Sequence, residues 1–350
     1  MRILVGMSGG VDSTYTAMRL IDEGHEVHGA VLVMHEHTDV DSAKEAAEKL
    51  GIPLYVIDCR EEFDREVREN FISEYLKART PNPCVICNPR VKFLKLFEYA
   101  LANGFDKIAT GHYARITERQ YPGGRIKHIA MARDRSKDQS YMLYRLPREI
   151  TDILLLPMGE EIKFEIRREL QSSEYRELDK KDSQEICFIP DGDYASYIEK
   201  ERGCVPHGSF IDKSGKVLGE HQGIIRYTIG QRKGLGISLG ARAFVSGIDP
   251  IANTVTLGDE PPMSDTILLD NVFFTAPEQD KLINREVLVK VRYASRPTHA
   301  RININEDGGV TVYLPSPERS VTPGQSCVIY DGDTVLGGGI IASASLASEL

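Results

Sequence analysis

Two groups of residues carry most of the chemistry this sequence could do. Near its start, Met7-Ser8-Gly9-Gly10-Val11-Asp12-Ser13 follows an apolar run and opens an amphipathic one. A glycine-rich turn between strand and helix aims backbone N–H groups and the positive end of the helix dipole at one anion-sized space. The glycines let the backbone come close, Ser8 and Ser13 offer hydroxyl donors, and Asp12 could hold Mg2+ against a pyrophosphate or serve as a helix N-cap. No Gly-Lys-Ser/Thr closes the loop, so the Walker pattern is absent. The second group is Cys84-Val85-Ile86-Cys87, in a segment stiffened by Pro81, Pro83 and Pro89, with Cys187 far downstream beside Lys180 and Lys181. Arg79, Arg90 and Lys92 near the pair should favour thiolate over thiol, and hence a reactive cysteine. Taken alone, Cys187 reads as a buried small hydrophobe, and Cys59, Cys204 and Cys327 read as packing residues outside every motif.

Both groups need a frame. Arg2–Gly6, Glu26–Val33 and Pro53–Asp58 are short apolar runs separated by helical patterns at Thr14–Glu23 and Val40–Leu50, the βαβ rhythm of a parallel sheet. A long helix is expected over Glu61–Lys77, then a rigid loop over Arg79–Pro89, a helix from Arg90 to Asn103 and a strand at Lys107–Thr110. Farther on the pattern is mixed, with helices near Glu161–Leu170 and Tyr194–Glu201 and turns at Asp212–Gly215 and Gly234–Gly240. Period-two alternation then takes over, as in Glu286–Tyr293, Gly309–Leu314 and Ser326–Tyr330. The expected architecture is α/β: a parallel-sheet domain over 1–157, a small mixed middle domain over 158–262 and a C-terminal antiparallel β-barrel over 263–350.

Composition sets outer bounds. A chain of 350 residues, 41% hydrophobic and 27% charged, is long enough for several domains and needs no disulfide or metal to hold its core. No apolar run approaches the roughly 18 residues of a membrane helix, and the N-terminus shows no secretory leader pattern, so a cytoplasmic protein is expected. In that reducing setting six cysteines point to catalysis or metal binding before a disulfide framework. The net charge of -9 argues against non-specific nucleic-acid affinity but leaves room for a local basic groove.

The loop at Ser8–Ser13 resembles the SGGxDS signature of PP-loop pyrophosphatases, of the adenine nucleotide alpha hydrolase-like fold, which split ATP between its α and β phosphates. Over nearly its whole length the chain resembles the tRNA-specific 2-thiouridylase family (MnmA). The likeness is carried by Gly6–Ser13, Thr80–Asn88, Ala109–Arg115, Lys137–Tyr141, Ser183–Phe188 and Gly230–Gly236. It implies ATP on Gly6, Met7, Ser8, Gly9, Gly10, Val11, Asp12 and Ser13, with Leu32 and Gly111 completing the nucleotide pocket and Mg2+ as companion. It implies attack of a uridine O2, at wobble position 34, on the α-phosphate, because oxygen on a pyrimidine is otherwise too poor a leaving group. Cys187 would then carry the incoming sulfur as a persulfide from a sulfur donor, and Cys87 would resolve it through a transient Cys87–Cys187 disulfide.

In better-known members an aspartate stands where this chain has Cys84, so the acid–base role implied there does not transfer. Cys84, Cys87 and Cys187 could instead hold a [4Fe-4S] cluster with one open iron that delivers sulfide. A spare thiol at Cys84 is the plainer reading, and half of a zinc site lacks a second Cys or His pair at the usual spacing. For tRNA, the resemblance implies contacts at Asn82, Pro83, Cys84, His112, Lys137, Asp138, Gln139, Arg292, Tyr293 and Gln325. Arg133, Arg135 and Lys137 beside Tyr141 and Tyr144 suit phosphate contact and base stacking, or form a solvated surface run. Arg292, Arg296, His299 and Arg301 could give the barrel an RNA-binding rim. Two other functions compete: a PP-loop ligase that adenylates a small molecule and needs no cysteine pair, and an RNA-binding module whose loop has lost catalysis.

Overall fold

The computed structural model describes residues 1–171, 186–275, 283, 285–306 and 308–349. Ser183, Gln184 and Glu185 of the string before Cys187, and Lys180 and Lys181, lie outside the described residues. In chain order the first elements are β1 (Arg2–Gly6), α1 (Val11–Asp22), β2 (Glu26–Val33), α2 (Val40–Leu50) and β3 (Leu54–Asp58). There follow α3 (Arg60–Phe63), a π-helical turn at Asp64–Arg68, α4 (Glu69–Leu76), α5 (Pro83–Cys87), a second π-helical turn at Asn88–Lys92, and α6 (Phe93–Ala102). Then come β4 (Lys107–Thr110), β5 (Ala114–Tyr121), β6 (Gly124–Met131), α7 (Arg148–Ile153), β7 (Leu154–Leu155) and α8 (Lys163–Gln171).

Contacts along the chain divide it into two units. The first comprises Met1–Val67, Cys84–Pro190 and Asp331–Leu336. Its sheet has the order β3-β2-β1-β4-β7, every pairing parallel. A parallel sheet is covered on both faces, which is why β1 and β2 read as unbroken apolar runs. Ile3, Val5, Val27 and Val31 meet Ala17 and Leu20 of α1 and Ala43, Ala46 and Ala47 of α2 in one buried cluster. The alanines let α2 lie close to the sheet, and each fully buried Ile or Val contributes about 1.5–3 kcal/mol. Asp39 caps α2 by accepting the Ser42 N–H at 3.0 Å, and Gly51, left-handed at φ 65°, ends it. A hairpin of β5 and β6 that the sequence pattern does not announce belongs to this unit. It is tied to the 331–336 stretch by Arg115 to Asp333 at 2.7 Å and Arg119 to Asp331 at 2.8 Å.

The second unit comprises Arg68–Pro83, Asp191–Tyr330 and Gly337–Leu350. Here α9 (Tyr194–Arg202) precedes a four-stranded sheet of β8 (Gly208–Asp212), β9 (Val217–His221), β10 (Phe244–Asp249) and β11 (Thr254–Gly258), in the order β10-β11-β8-β9. Phe210, Tyr227, Val245, Val255 and Leu257 fill its core. A larger sheet follows, built from β12 (Met263–Phe274), β13 (Glu286–Lys290), β14 (Thr298–Ile304), β15 (Val310–Arg319), β16 (Ser326–Asp331) and β17 (Thr334–Ser345). Its order is β12-β15-β14-β13-β16-β17, and β12 pairs again with β17, closing a six-stranded antiparallel barrel. Closure leaves no open edge. The fold class is therefore the expected one: a parallel-sheet domain, a middle domain and a C-terminal barrel.

One segment departs from the expected loop. Arg79–Pro89 turns helical at Pro83, so Cys84 and Cys87 sit on α5 and its continuation through the π-helical turn into α6. Pro83 is the first helical residue, where the missing N–H costs nothing, and the wider turn accommodates Pro89. The Arg68–Pro83 stretch is fastened within the second unit. The Thr80 N–H donates to Pro323 O at 2.8 Å, Gln325 Nε2 donates to Thr80 O at 2.8 Å, and Arg79 pairs with Glu74 at 2.8 Å and Asp270 at 3.1 Å.

Candidate active site

The strand order reverses between β1 and β4, and the crevice beyond the carboxyl ends of such strands is where open α/β sheets bind ligands. The loop Met7–Gly10 leaves β1 there, and Gly111-His112 leaves β4. They line a cavity of about 410 Å³ with Gly6, Met7, Ser8, Asp12, Ser13, Leu32, Gly111 and Cys187. Gly9 is left-handed at φ 71°, and a Cβ on it would stand 2.4 Å from the Ser42 carbonyl carbon. At Gly111 a Cβ would meet the Asp12 and Ser13 backbone at 2.7 and 2.8 Å, so glycine is what lets β4 close on the loop. Gly10 begins α1 without a side-chain cap, which leaves the first N–H groups of that helix available to an anion. Ser13 Oγ accepts the Ser8 N–H at 3.1 Å and donates to Gly10 O at 3.1 Å, holding the loop shut on itself. Of the residues expected to bind nucleotide, Gly9, Gly10 and Val11 stand behind this wall as loop and helix start.

Cys187 opens on the same cavity, and Cys84 and Cys87 lie near enough to it for charge on one sulfur to be felt by another. Burial pushes the Cys87 thiol up to about 12, against the opposing pull of Lys92 and its backbone N–H. Cys84 and Cys187 are solvent-accessible yet recessed in protein, so burial raises both thiols while Lys92 again opposes. The expectation of resting thiolates is thereby corrected. Among the described residues desolvation outweighs Lys92, the cation that reaches the sulfurs, while Arg79 is engaged by Glu74 and Asp270 and Arg90 is exposed. His112 accompanies them in the cavity wall, its Nδ1 2.9 Å from Thr110 Oγ1 and its ring 5.3 Å from Phe93. Burial, and then Lys92, hold it well below the usual histidine range, so it is neutral at physiological pH.

Other expected residues fall in different settings. Asp138 is buried, and its carboxylate accepts the Ala132 N–H at 3.0 Å and the Ser140 hydroxyl at 3.0 Å. Gln139 faces the cavity while its Oε1 accepts the Tyr113 N–H at 2.8 Å. Tyr141 and Tyr144 are fully buried, so neither can stack on a base, because their apolar faces are spent in the core. Arg135 is paired with Asp333 at 2.5 Å and Lys137 is half-buried. In the second unit Arg292 pairs with Glu318 at 3.1 Å, and Lys290 Nζ sits 5.7 Å from the Tyr293 ring centre. Asn82, Pro83 and Gln325 also belong there, Gln325 holding Thr80.

Several site residues carried no signal in the sequence. Met34, His35, His37, Thr38 and Asp39, just beyond β2, line the cavity, and Cys87 Sγ lies 3.8 Å from Met34 Sδ. The switch-point rule would have located that stretch. Lys163 on α8 gave no cue at all, yet its Nζ meets both carboxylate oxygens of Asp12, at 2.8 and 2.7 Å. Among the described residues no three His, Cys, Asp or Glu side chains converge as a metal ion requires. Cys84, Cys87 and Cys187 are neighbours, close enough for charge on one sulfur to be felt by another. Among those residues, too, no helix is long and apolar enough to cross a membrane.

A Walker-free anion loop at the switch point of a parallel sheet, with thiols opening onto it, defines a nucleotide-binding α/β domain of the HUP class equipped for sulfur chemistry. Three family models match in turn: the "tRNA methyl transferase HUP domain" over residues 1–191, the "tRNA methyl transferase PRC-barrel domain" over 195–259 and the "Aminomethyltransferase beta-barrel domain" over 264–341. The tRNA-specific 2-thiouridylase MnmA of Clostridium perfringens is 43% identical over 98% of each chain. Its counterpart in Acetivibrio thermocellus is 42% identical over 97% of this chain and 99% of that one. This chain belongs to the tRNA-specific 2-thiouridylase family. Among solved structures, the U34-tRNA thiolase NcsA from Methanococcus maripaludis with its [4Fe-4S] cluster is similar at 17% identity and a TM-score of 0.34, covering 57% of this chain and 67% of that one. A likeness that low carries no argument about this site.

Proposed function

We propose that the chain replaces the C2 oxygen of a tRNA uridine, at wobble position 34, with sulfur in an ATP-dependent reaction. The observation that carries this reading is that Cys187 opens on the same cavity as Ser8, Asp12, Ser13, Leu32 and Gly111, in a chain 43% identical over its length to a named 2-thiouridylase. ATP lies with its phosphates on the Ser8–Ser13 loop and the first N–H groups of α1. The uridine O2 attacks the α-phosphorus, the α–β bridge breaks and pyrophosphate leaves, so C2 carries AMP as a leaving group. The outer sulfur of a persulfide on Cys187 attacks C2 and AMP departs with the oxygen. Cys87 then attacks the inner sulfur of Cys187, its thiol proton passing to the released thiouridine, and leaves a Cys87–Cys187 disulfide that a cellular thiol reduces. The persulfide is loaded by a persulfide-carrying protein, whose outer sulfur passes to Cys187 as its own thiolate leaves, or by inorganic sulfide attacking Cys187 Sγ of the Cys87–Cys187 disulfide, with Cys87 leaving as thiolate.

Asp12 suits a Mg2+ shared with the phosphates, since among the described residues Oδ2 accepts only from Lys163 and such an ion needs one or two carboxylates. The ion would screen the charge that builds on the leaving pyrophosphate. Cys84, Cys87 and Cys187 are the residues that would hold a [4Fe-4S] cluster, which would supply an open iron for sulfide. Neutral His112 and half-buried Lys137 face the tRNA, with Asn82, Pro83, Cys84, Arg292, Tyr293 and Gln325. Asp138 and Gln139 act there by shaping their turn. The domains divide near 157 and 262, and the reaction runs in the cytoplasm.

The test is nucleoside mass spectrometry of unmodified tRNA incubated anaerobically with the protein, Mg-ATP and a persulfide donor. 2-Thiouridine should form only with ATP and should vanish in Cys187→Ser. ATP split to AMP with no thiouridine under any donor would remove this reading and favour a small-molecule ligase.

A further inference from the structure

Asp12 stands in the first turn of α1, on the wall of the nucleotide cavity. There its charge competes with a phosphate for the same positive helix end. Yet the side chain is not presented bare. Lys163 Nζ lies 2.8 Å from Oδ1 and 2.7 Å from Oδ2, and Tyr113 donates its hydroxyl to Oδ1 at 2.8 Å. Lys163 is 6% exposed and opens α8, and its ammonium stands 5.4 Å from the centre of the Tyr113 ring. A lysine this buried is stable as a cation only beside a fixed anion, and the anion at hand belongs to the nucleotide loop. The Gly111 backbone packs against the backbone of the same aspartate, so the carboxylate is set from two sides.

We propose that Lys163 is a positioning residue of the nucleotide loop: it orients and neutralises the Asp12 carboxylate so that the polyphosphate of ATP can enter. Without it, an uncompensated carboxylate would face incoming phosphates across a few ångströms of reduced dielectric, where like charges repel strongly. With it, the Asp12–Lys163 pair is neutral, and the helix N-terminus governs the field at the loop. Lys163 lies 151 residues from Asp12 in sequence, which is why no local motif contains it. The inference rests on the reading of Ser8–Ser13 as an ATP loop.

The test is a binding cycle on the full chain, titrating α,β-methylene-ATP calorimetrically with divalent metal chelated, so that no metal role of Asp12 enters. Lys163→Met should weaken binding by about tenfold or more, the scale of one lost buried partner. Lys163→Arg, which keeps the charge, should stay within about threefold of wild type on the same scale. The deciding variant is Lys163→Met with Asp12→Asn: removing the stranded carboxylate should make this double variant bind more tightly than Lys163→Met alone. If Lys163 merely anchors α8, or touches phosphate itself, the second substitution restores nothing, and that result overturns the proposal. So does a Lys163→Met protein that binds like wild type. Should Lys163→Met fail to fold, Lys163→Gln takes its place in the same cycle. Wild-type protein that binds no analogue at all would instead sink the ATP reading, and this inference with it.

Discussion

Cys187 is held as a thiol by its recess, since burial raises it, Cys84 raises it further and Lys92 opposes them both. The sign of the pH dependence follows. With the folded value above the ordinary 9.0, the thiolate fraction is still climbing about tenfold per pH unit as pH approaches 9. Iodoacetamide labelling of Cys187, followed by mass spectrometry of its peptide, should therefore show no plateau below pH 9. Lys92→Met, which deletes the opposing cation, should slow labelling at every pH in that range. A plateau near pH 7 would mean that the recess does not desolvate the sulfur. Cysteines and neighbouring cations could be read from the sequence, but the sign of the shift could not, because desolvation depends on which atoms surround the thiol. Tyr141 and Tyr144 teach the same lesson: their types suit stacking, while their position in the core forbids it.

At the scale of elements, β1, β2 and β4 were legible to the residue, since strands buried on both faces appear as apolar runs between polar punctuation. The helix bearing Cys84 and Cys87 was not, because three prolines mimic a loop unless one opens the helix and another sits in a π-helical turn. The β5–β6 hairpin went unread for a different reason: Arg115, Glu118, Arg119 and Lys127 give it the polarity of a surface segment, and its partners lie beyond residue 330. The nucleotide loop makes a sharper claim. Gly9→Ala should destabilise the fold by about 1–2 kcal/mol through the left-handed backbone alone. The approach of its Cβ to Ser42 should add to that. Thermal unfolding should report the loss, and ATP affinity should fall with it; an unchanged melting temperature would contradict the left-handed turn at Gly9 and its close approach to α2.

Taken whole, the molecule is an anion of net charge -9 that must hold a polyanion. Long-range attraction cannot do this, so affinity for tRNA has to come from a few local cations and should fall steeply with salt. Arg292, paired with Glu318 and still 42% exposed at its side chain, is one candidate. Arg292→Ala should weaken tRNA binding severalfold and reduce the log–log salt slope by about one. A filter-binding series across salt concentrations measures both, and an unaltered slope would remove Arg292 from the phosphate contacts. The family was legible from six ordered strings. The pairing of Lys163 with Asp12 was not, since only the folded chain brings residues so distant into contact.

The assignment of Asp331–Leu336 to the first unit bears on how the protein is made. Ribosomes deliver chains from the N-terminus, and domains generally fold as they emerge. Here the nucleotide-binding unit cannot finish that way, because Asp331 and Asp333, the partners of Arg119, Arg115 and Arg135, are synthesised only after the whole of Asp191–Tyr330. Until then three arginines on the nascent unit wait without those carboxylates. The first half to be translated is thus among the last to be completed.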